Sequence, residues 1–248
     1  MDDPTKGNPE EAGPGRDRVS GPRAVLFDFN GVLVEDETYH WRAFRDVLAP
    51  LGIRLGRARY NARYLVFDDR TALRTMLRDA ARGVADLERL LARKRRVYAR
   101  LAKRVRIDPR AARLVRALGR RVSLGVVSGA TRREVASALR RARLSRLFGV
   151  VVTAEDVRRP KPRPDGYRLA LRRLGLAGGR GSVAIEDSPG GVRAARASGC
   201  AVIGVATTFR PAALRRAGAR RVAPRLSALR VEQILSSASR TRPIRRRS

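Results

Sequence analysis

A doubly wound parallel α/β sheet carrying an inserted α-helical cap is the fold this sequence predicts, on three observations. Short apolar runs recur along the chain, segments of helical periodicity separate most of them, and one long interval in the first half has that periodicity without a strand candidate. Strands that alternate with helices pack into parallel sheets covered on both faces. At 248 residues the chain can bury a large core as one domain with an insertion.

Residues 1–22 are rich in Gly, Pro, Asp and Glu, too polar to bury apolar surface, and read as a disordered tail. The first strand is expected at residues 24–27. Residues 38–107 read as the helical cap, where Leu87, Leu90, Leu91, Val97 and Leu101 mark an apolar stripe on a helix whose other face is mostly Arg and Lys. Further strands are expected at residues 122–127, 150–152, 183–185 and 201–205, which gives a core of 23–37 plus 108–235. Residues 236–248, SSASRTRPIRRRS, are polar and then basic, and read as a second disordered tail. No internal repeat is evident.

The 56 Lys and Arg against 23 Asp and Glu leave a net charge of +33. Such a balance favours polyanions. Only four of the basic residues are lysine (Lys6, Lys94, Lys103 and Lys161), aromatics are 5%, and no nucleic-acid-binding module is present. The composition therefore fits non-specific attraction of nucleic acid and not dedicated recognition, which adds stacking platforms to charge. Cys200 is the single cysteine, so no intramolecular disulfide can form. No charged start leads into an apolar run, and a reduced, cytoplasmic protein is expected. Arginines interrupt every apolar run before the roughly 18 residues of a membrane span.

Ligands of a doubly wound sheet bind beyond the C-terminal ends of its strands. At those positions stand Asp28-Phe29-Asn30-Gly31, Ser128-Gly129 and Glu186-Asp187-Ser188, and Pro160-Lys161-Pro162 precedes a further helix. A carboxylate can attack phosphorus when a divalent cation and a lysine offset the repulsion between two anions. Asp28 would be the nucleophile. Asp28, Asp187 and the main-chain carbonyl of Asn30 offer hard oxygen ligands to Mg²⁺, with Glu186 assisting. Ser128 and the amide of Gly129 would hydrogen-bond the transferring phosphoryl group, Lys161 would offset its charge, and Gly31 would permit the sharp turn after the nucleophile. Taken singly, Ser128 could instead cap the helix that starts near Thr131, and Glu186-Asp187 could favour a helix N-terminus.

The segments FDFNGVLVEDE, GVVSGATR, RPKPRPDGY and IEDSPGGVRAA, in that order, resemble the four motifs of the haloacid dehalogenase superfamily, in the branch with a helical cap after the first motif. The resemblance spans residues 24 to about 225 and is nearest to β-phosphoglucomutases and sugar-phosphate phosphatases. It implies a Rossmann-like core, Mg²⁺-dependent chemistry through a phosphoaspartate, and a cap that closes over a small phosphorylated metabolite. The expected function is a phosphatase of small phosphomonoesters, of sugar phosphate or phosphoglycolate type. A phosphomutase, and a non-catalytic binder of phosphate ligands or polyanions, are the alternatives.

The chain departs from the family pattern at Asn30, where a second Asp usually protonates the leaving oxygen. An amide cannot exchange a proton at ordinary pH, and such help is typically worth about 10² to 10⁴ in rate. His40, the single histidine, is a substitute proton carrier by type. In the cap, Lys94 lines up with a substrate-facing lysine of the mutase-like group. Arg70 stands in the loop where related caps place a substrate-contacting arginine, with a local pairing to Asp68 or Asp69 as the other reading.

Overall fold

The computed structural model describes residues 23–83 and 86–238, so the first predicted tail and residues 239–248 of the second lie outside the described residues. Six parallel strands form one sheet in the order β3-β2-β1-β4-β5-β6. They are β1 (Ala24–Phe27), β2 (Ser123–Val127), β3 (Phe148–Val152), β4 (Val183–Glu186), β5 (Ala201–Val205) and β6 (Arg221–Ala223). Side chains alternate between the two faces: Val25 and Phe27 join one apolar cluster with Val183 and Ile185, while Leu26 joins the other with Ala184 and Val202. Helices over both faces leave β1 and β4 buried along their whole length, and for that reason they read as continuous apolar runs. β6 was not expected. It has three residues, stands at the sheet edge and begins with an exposed Arg221, so no apolar run announces it.

Between β1 and β2 lie α1 (Glu37–Leu48), α2 (Arg57–Arg59, running into a π turn at Tyr60–Tyr64), α3 (Asp69–Asp79) and α4 (Leu87–Ala102). They enclose a separate apolar cluster that includes Phe44, Val47, Tyr64, Leu73, Met76 and Leu91. Val105 and Ile107, placed by the sequence inside the cap interval, instead pack into the cluster on the sheet. On α4 the inward face continues from Leu87, Leu90 and Leu91 through Lys94 and Tyr98, while Val97 and Leu101 are half-buried. The stripe thus admits a lysine, because Asp69 of α3 meets its ammonium.

The remaining helices are α5 (Pro109–Gly119), α6 (Arg132–Arg141), α7 (Asp165–Arg173), α8 (Pro189–Ala197), α9 (Pro211–Ala217) and α10 (Val231–Leu235). Ala238, inside the predicted second tail, is buried against the sheet cluster. Among the described residues no helix is long and apolar enough to cross a membrane. Thr131, not Ser128, caps α6, in a reciprocal pairing with Glu134 that satisfies two helix-end amides. Thr131→Ala is expected to lower unfolding free energy by about 1 kcal/mol in urea denaturation, with no effect on the site below.

Candidate active site

The chain lays down β1, β2 and β3 in one direction, then returns to place β4 on the other side of β1. A crevice opens where a doubly wound sheet reverses in this way. Phe27 is level with Ile185 in the ladder between β1 and β4, so Asp28 and Glu186 leave the sheet side by side. The Asp28 amide donates to the Ile185 carbonyl at 2.9 Å and extends the ladder by one residue.

Lys161 closes this edge. Its ammonium donates to Asp28 Oδ1 at 2.7 Å, Glu186 Oε1 at 2.6 Å and the Val127 carbonyl at 3.0 Å, which uses all three of its protons. Glu186 is fully buried and held from every side. Its Oε1 also accepts the Tyr167 hydroxyl at 2.8 Å, and Oε2 accepts the Asp187 amide at 3.2 Å and the Ser188 hydroxyl at 3.2 Å. A Cβ on Gly191 would stand 1.9 Å from Glu186 Oε1, so a glycine in the first turn of α8 is what admits the carboxylate. Asp187 completes an acidic group with Asp28 and Glu186, with one oxygen of each within 4.8 Å of the others.

Three buried carboxylates share one ammonium, and their proton affinities follow. Burial pushes the Asp28 carboxyl up to about 7; Lys161 pulls against this and Glu186 adds to it. Burial also raises Asp187 well above the usual carboxylate range, and the charges on Asp28 and Glu186 raise it further. Burial alone would lower the Lys161 ammonium, but Asp28 and Glu186 outweigh it and hold the lysine above its ordinary value. The cluster favours added positive charge.

The loop that follows Asp28 wraps over this group. Gly31 has φ +74°, and a Cβ there would come within 1.8 Å of Asp187 Oδ2 and 2.7 Å of Thr208 Oγ1, so both the turn and the space exclude a side chain. The Thr207 hydroxyl donates to the Gly31 carbonyl at 2.5 Å, and Thr208 hydrogen-bonds Asp187. Ser128 Oγ accepts the Ala130 amide at 2.9 Å and stands 3.5 Å from Asn30 Oδ1. Gly129 is exposed, with open space where a side chain would be.

Asp28, Asn30, Gly31, Ser128, Lys161, Glu186 and Asp187 therefore meet at one rim. His40, Lys94 and Arg70 belong to the inserted helices. His40 stacks on Tyr98 with ring centroids 4.1 Å apart; its Nδ1 is 2.8 Å from the Lys94 ammonium, and its Nε2 is 3.5 Å from Asp36 Oδ2. His40 meets the loop after Asp28 through Asp36, which accepts the Asn30 amide at 2.5 Å. Lys94 is buried between both Asp69 oxygens, each at 2.6 Å, and lies over the Phe44 ring. Arg70 pairs with Glu88 across 2.8 Å, and its half-exposed guanidinium bonds neither Asp68 nor Asp69. Asp68 instead accepts the Arg70 and Thr71 amides as the N-cap of α3.

Sequence reasoning missed Tyr167, Thr208, Asp36 and Tyr98. Tyr167 closes the RPKPRPDGY segment, and Asp36 lies within FDFNGVLVEDE, so both stood in the quoted motifs; nothing in the sequence singled out Thr208 or Tyr98.

A family model of haloacid dehalogenase-like hydrolases matches residues 25–205, and the chain belongs to that family. It is 31% identical over 180 residues to a phosphorylated carbohydrates phosphatase of Thermotoga maritima, spanning 71% of this chain and 81% of that protein. With the protein CbbY of Cereibacter sphaeroides it shares 33% identity over 188 residues, 71% of this chain and 80% of the relative. Among solved structures, CbbY from Rhodobacter sphaeroides in complex with phosphate superposes with a TM-score of 0.69 at 28% identity, over 83% of this chain and 95% of that one.

Replacing Lys161 by methionine leaves two buried carboxylates without their ammonium. Lys161→Met is expected to lower stability by about 3–5 kcal/mol at pH 8 in urea denaturation. In the unsubstituted chain the Asp28 carboxyl binds its proton more tightly folded than unfolded, so between about pH 4 and 7 the native state holds the extra proton and stability falls as pH rises; without Lys161 that fall continues to higher pH, so the loss is larger at pH 8 than at pH 6.

Proposed function

We propose that the chain is a Mg²⁺-dependent phosphatase that hydrolyses a small phosphomonoester, of sugar-phosphate type, through a phosphoaspartate on Asp28. The observation that carries the reading is the placement of Asp28 at the crevice with one oxygen fixed by Lys161 and the other two acids of the cluster alongside. The relatives support the substrate class: one is named for phosphorylated carbohydrates, and the structure of another holds phosphate.

The donor set fits a hard divalent cation. Asp28, Asp187 and the main-chain carbonyl of Asn30 are oxygen donors of the kind Mg²⁺ takes, and the raised proton affinity of Asp28 and Asp187 marks a surplus of negative charge at the same place. Glu186, whose oxygens are engaged by Lys161, Tyr167 and Ser188, serves chiefly to hold the lysine. When bound, Mg²⁺ supplies charge neutralisation for the carboxylates and the phosphoryl oxygens.

In this reading the Asp28 oxygen not held by Lys161 attacks phosphorus, the bond to the leaving oxygen breaks, and the phosphoryl group passes to the carboxylate. Lys161 keeps the nucleophile ionised and oriented, while Ser128 Oγ and the Gly129 amide bind phosphoryl oxygens from the β2 side. Water then attacks phosphorus and gives a proton to solvent, the bond between the Asp28 oxygen and phosphorus breaks, and phosphate leaves with the Asp28 carboxylate restored. Asn30 contributes its carbonyl and no proton, so the leaving oxygen takes its proton from solvent or from the substrate. Good leaving groups should therefore be favoured over poor ones. Moving a phosphoryl group between two hydroxyls of one substrate needs protonation and deprotonation of both, which makes a mutase the poorer fit. The inserted helices act as the cap, and Arg70, Lys94 and His40 stand on it.

Two experiments test this. Phosphate release from a panel of sugar phosphates and phosphoglycolate in Mg²⁺ should fall about 10³-fold or more in Asp28→Asn. An unchanged rate moves the protein to a non-catalytic class, and isomer formation without phosphate release moves it to a mutase. Separately, Mg²⁺ should raise the melting temperature more at pH 8 than at pH 5, because at the lower pH the cation must displace a proton from Asp28.

A further inference from the structure

Asp36 is buried and stands at the N-cap position of α1, where an Asp ordinarily accepts the first helix amides, yet its side chain caps nothing. Oδ2 instead accepts the Asn30 side-chain amide at 2.5 Å and the Tyr98 hydroxyl, with His40 Nε2 at 3.5 Å. Oδ1 is buried without a partner. A helix cap worth about 1 kcal/mol has been given up for contacts that point back to the nucleophile loop.

An ionised carboxylate only accepts hydrogen bonds, so it fixes which end of a neighbouring amide it faces. Against Asp36, Asn30 must present its NH₂ group, and its carbonyl Oδ1 is left toward Ser128, 3.5 Å away. A carboxylate at position 30 could not make this contact: two acceptor oxygens 2.5 Å apart must share a proton or separate. Positions 30 and 36 are then one unit, an amide inside the site and its orienting acid six residues on. Tyr98 of α4 shares Oδ2, so the unit also joins the nucleophile loop to the inserted helices.

We infer that Asp36 is the positioning residue of the site: it locks the Asn30 amide in one orientation, and through this contact Asn30 is matched to Asp36 and cannot be replaced by an acid alone. Only the kinetic arm of the test rests on the phosphatase reading. The chain has three Asn and one Gln, so the Asn30 side-chain amide signals in ¹⁵N-labelled protein are identified by their loss in Asn30→Asp. In Asp36→Asn, which keeps the side-chain shape, these signals should shift and their hydrogen exchange should accelerate about tenfold or more. In the kinetic arm, with p-nitrophenyl phosphate and Mg²⁺, Asp36→Asn should lower kcat with KM nearly unchanged. Asn30→Asp alone should not raise kcat. The reciprocal variant Asn30→Asp/Asp36→Asn, which restores a donor–acceptor pair in the reverse direction, should exceed Asn30→Asp by about tenfold. Amide signals indifferent to Asp36→Asn, or a kcat for Asn30→Asp equal to that of the double variant, overturn the inference. Phosphate release that survives in Asp28→Asn overturns the phosphatase reading and leaves the amide measurement to decide this one.

Discussion

The ammonium of Lys161, held between Asp28, Glu186 and the Val127 carbonyl, is the interaction on which the site's geometry depends. It reaches β1, β2 and β4 at once, at the edge where the sheet reverses direction. Such a contact adds little net stability, since desolvating the charges offsets most of their attraction. Its consequence is specificity of arrangement: with all three ammonium protons committed, Asp28 has one oxygen fixed by the lysine. Glu186 is immobilised in turn by Tyr167, Ser188 and the close approach of Gly191, so the lysine cannot shift toward either acid alone.

Charge at the site and charge on the molecule run in opposite senses. The chain as a whole carries +33, yet at the rim three carboxylates face a single lysine. A basic surface attracts anions from solution, an effect that salt screens over about 10 Å. The rim by itself repels the same anion at contact distance. On the phosphatase reading, an entering phosphoryl group and these acids would become compatible once a cation joined them, and a surplus of hard oxygen donors around Asp28 would serve that purpose. The arginine excess therefore says little about the chemistry, and the few lysines say more. Lys161, part-buried, and Lys94, buried, each sit against carboxylates, in the positions where a compact point charge fits.

Much of this was legible in the sequence because the physical constraints on it are local. Strands buried on both faces must be apolar throughout, and residues that leave such strands at one edge fall together once the sheet is parallel; Asp28, Ser128 and Glu186-Asp187 were found in that way. Lys161 was found from its short proline-flanked segment. Contacts made across the fold left no such trace. Tyr167 is a helix residue whose hydroxyl matters only because Glu186 lies beneath it, and β6 exists because β5 offers an edge for three residues to pair with. Lys94 was legible as unusual, since lysines are few, but its partner Asp69 is 25 residues away and sequence could not supply it. Asp36 was the hardest to see, because an Asp just ahead of a helix has an ordinary explanation that the structure does not bear out.

The arrangement around Asp36 also explains how an acid can be moved without being lost. Burial alone would raise its proton affinity, but the hydrogen bond and charge of His40, with the hydrogen bonds from Tyr98 and Asn30, outweigh burial and keep the carboxyl below its ordinary value. The charge is thus stabilised at the junction between the sheet and the inserted helices, away from the crowded rim. There it adds nothing to the repulsion between Asp28, Glu186 and Asp187, and Asn30, being neutral, adds none either. A site with an acid at position 30 would hold four carboxylates; this one holds three and an oriented amide. On the phosphatase reading, that exchange would remove a proton donor beside the leaving oxygen and lower the electrostatic cost of bringing an anion to Asp28.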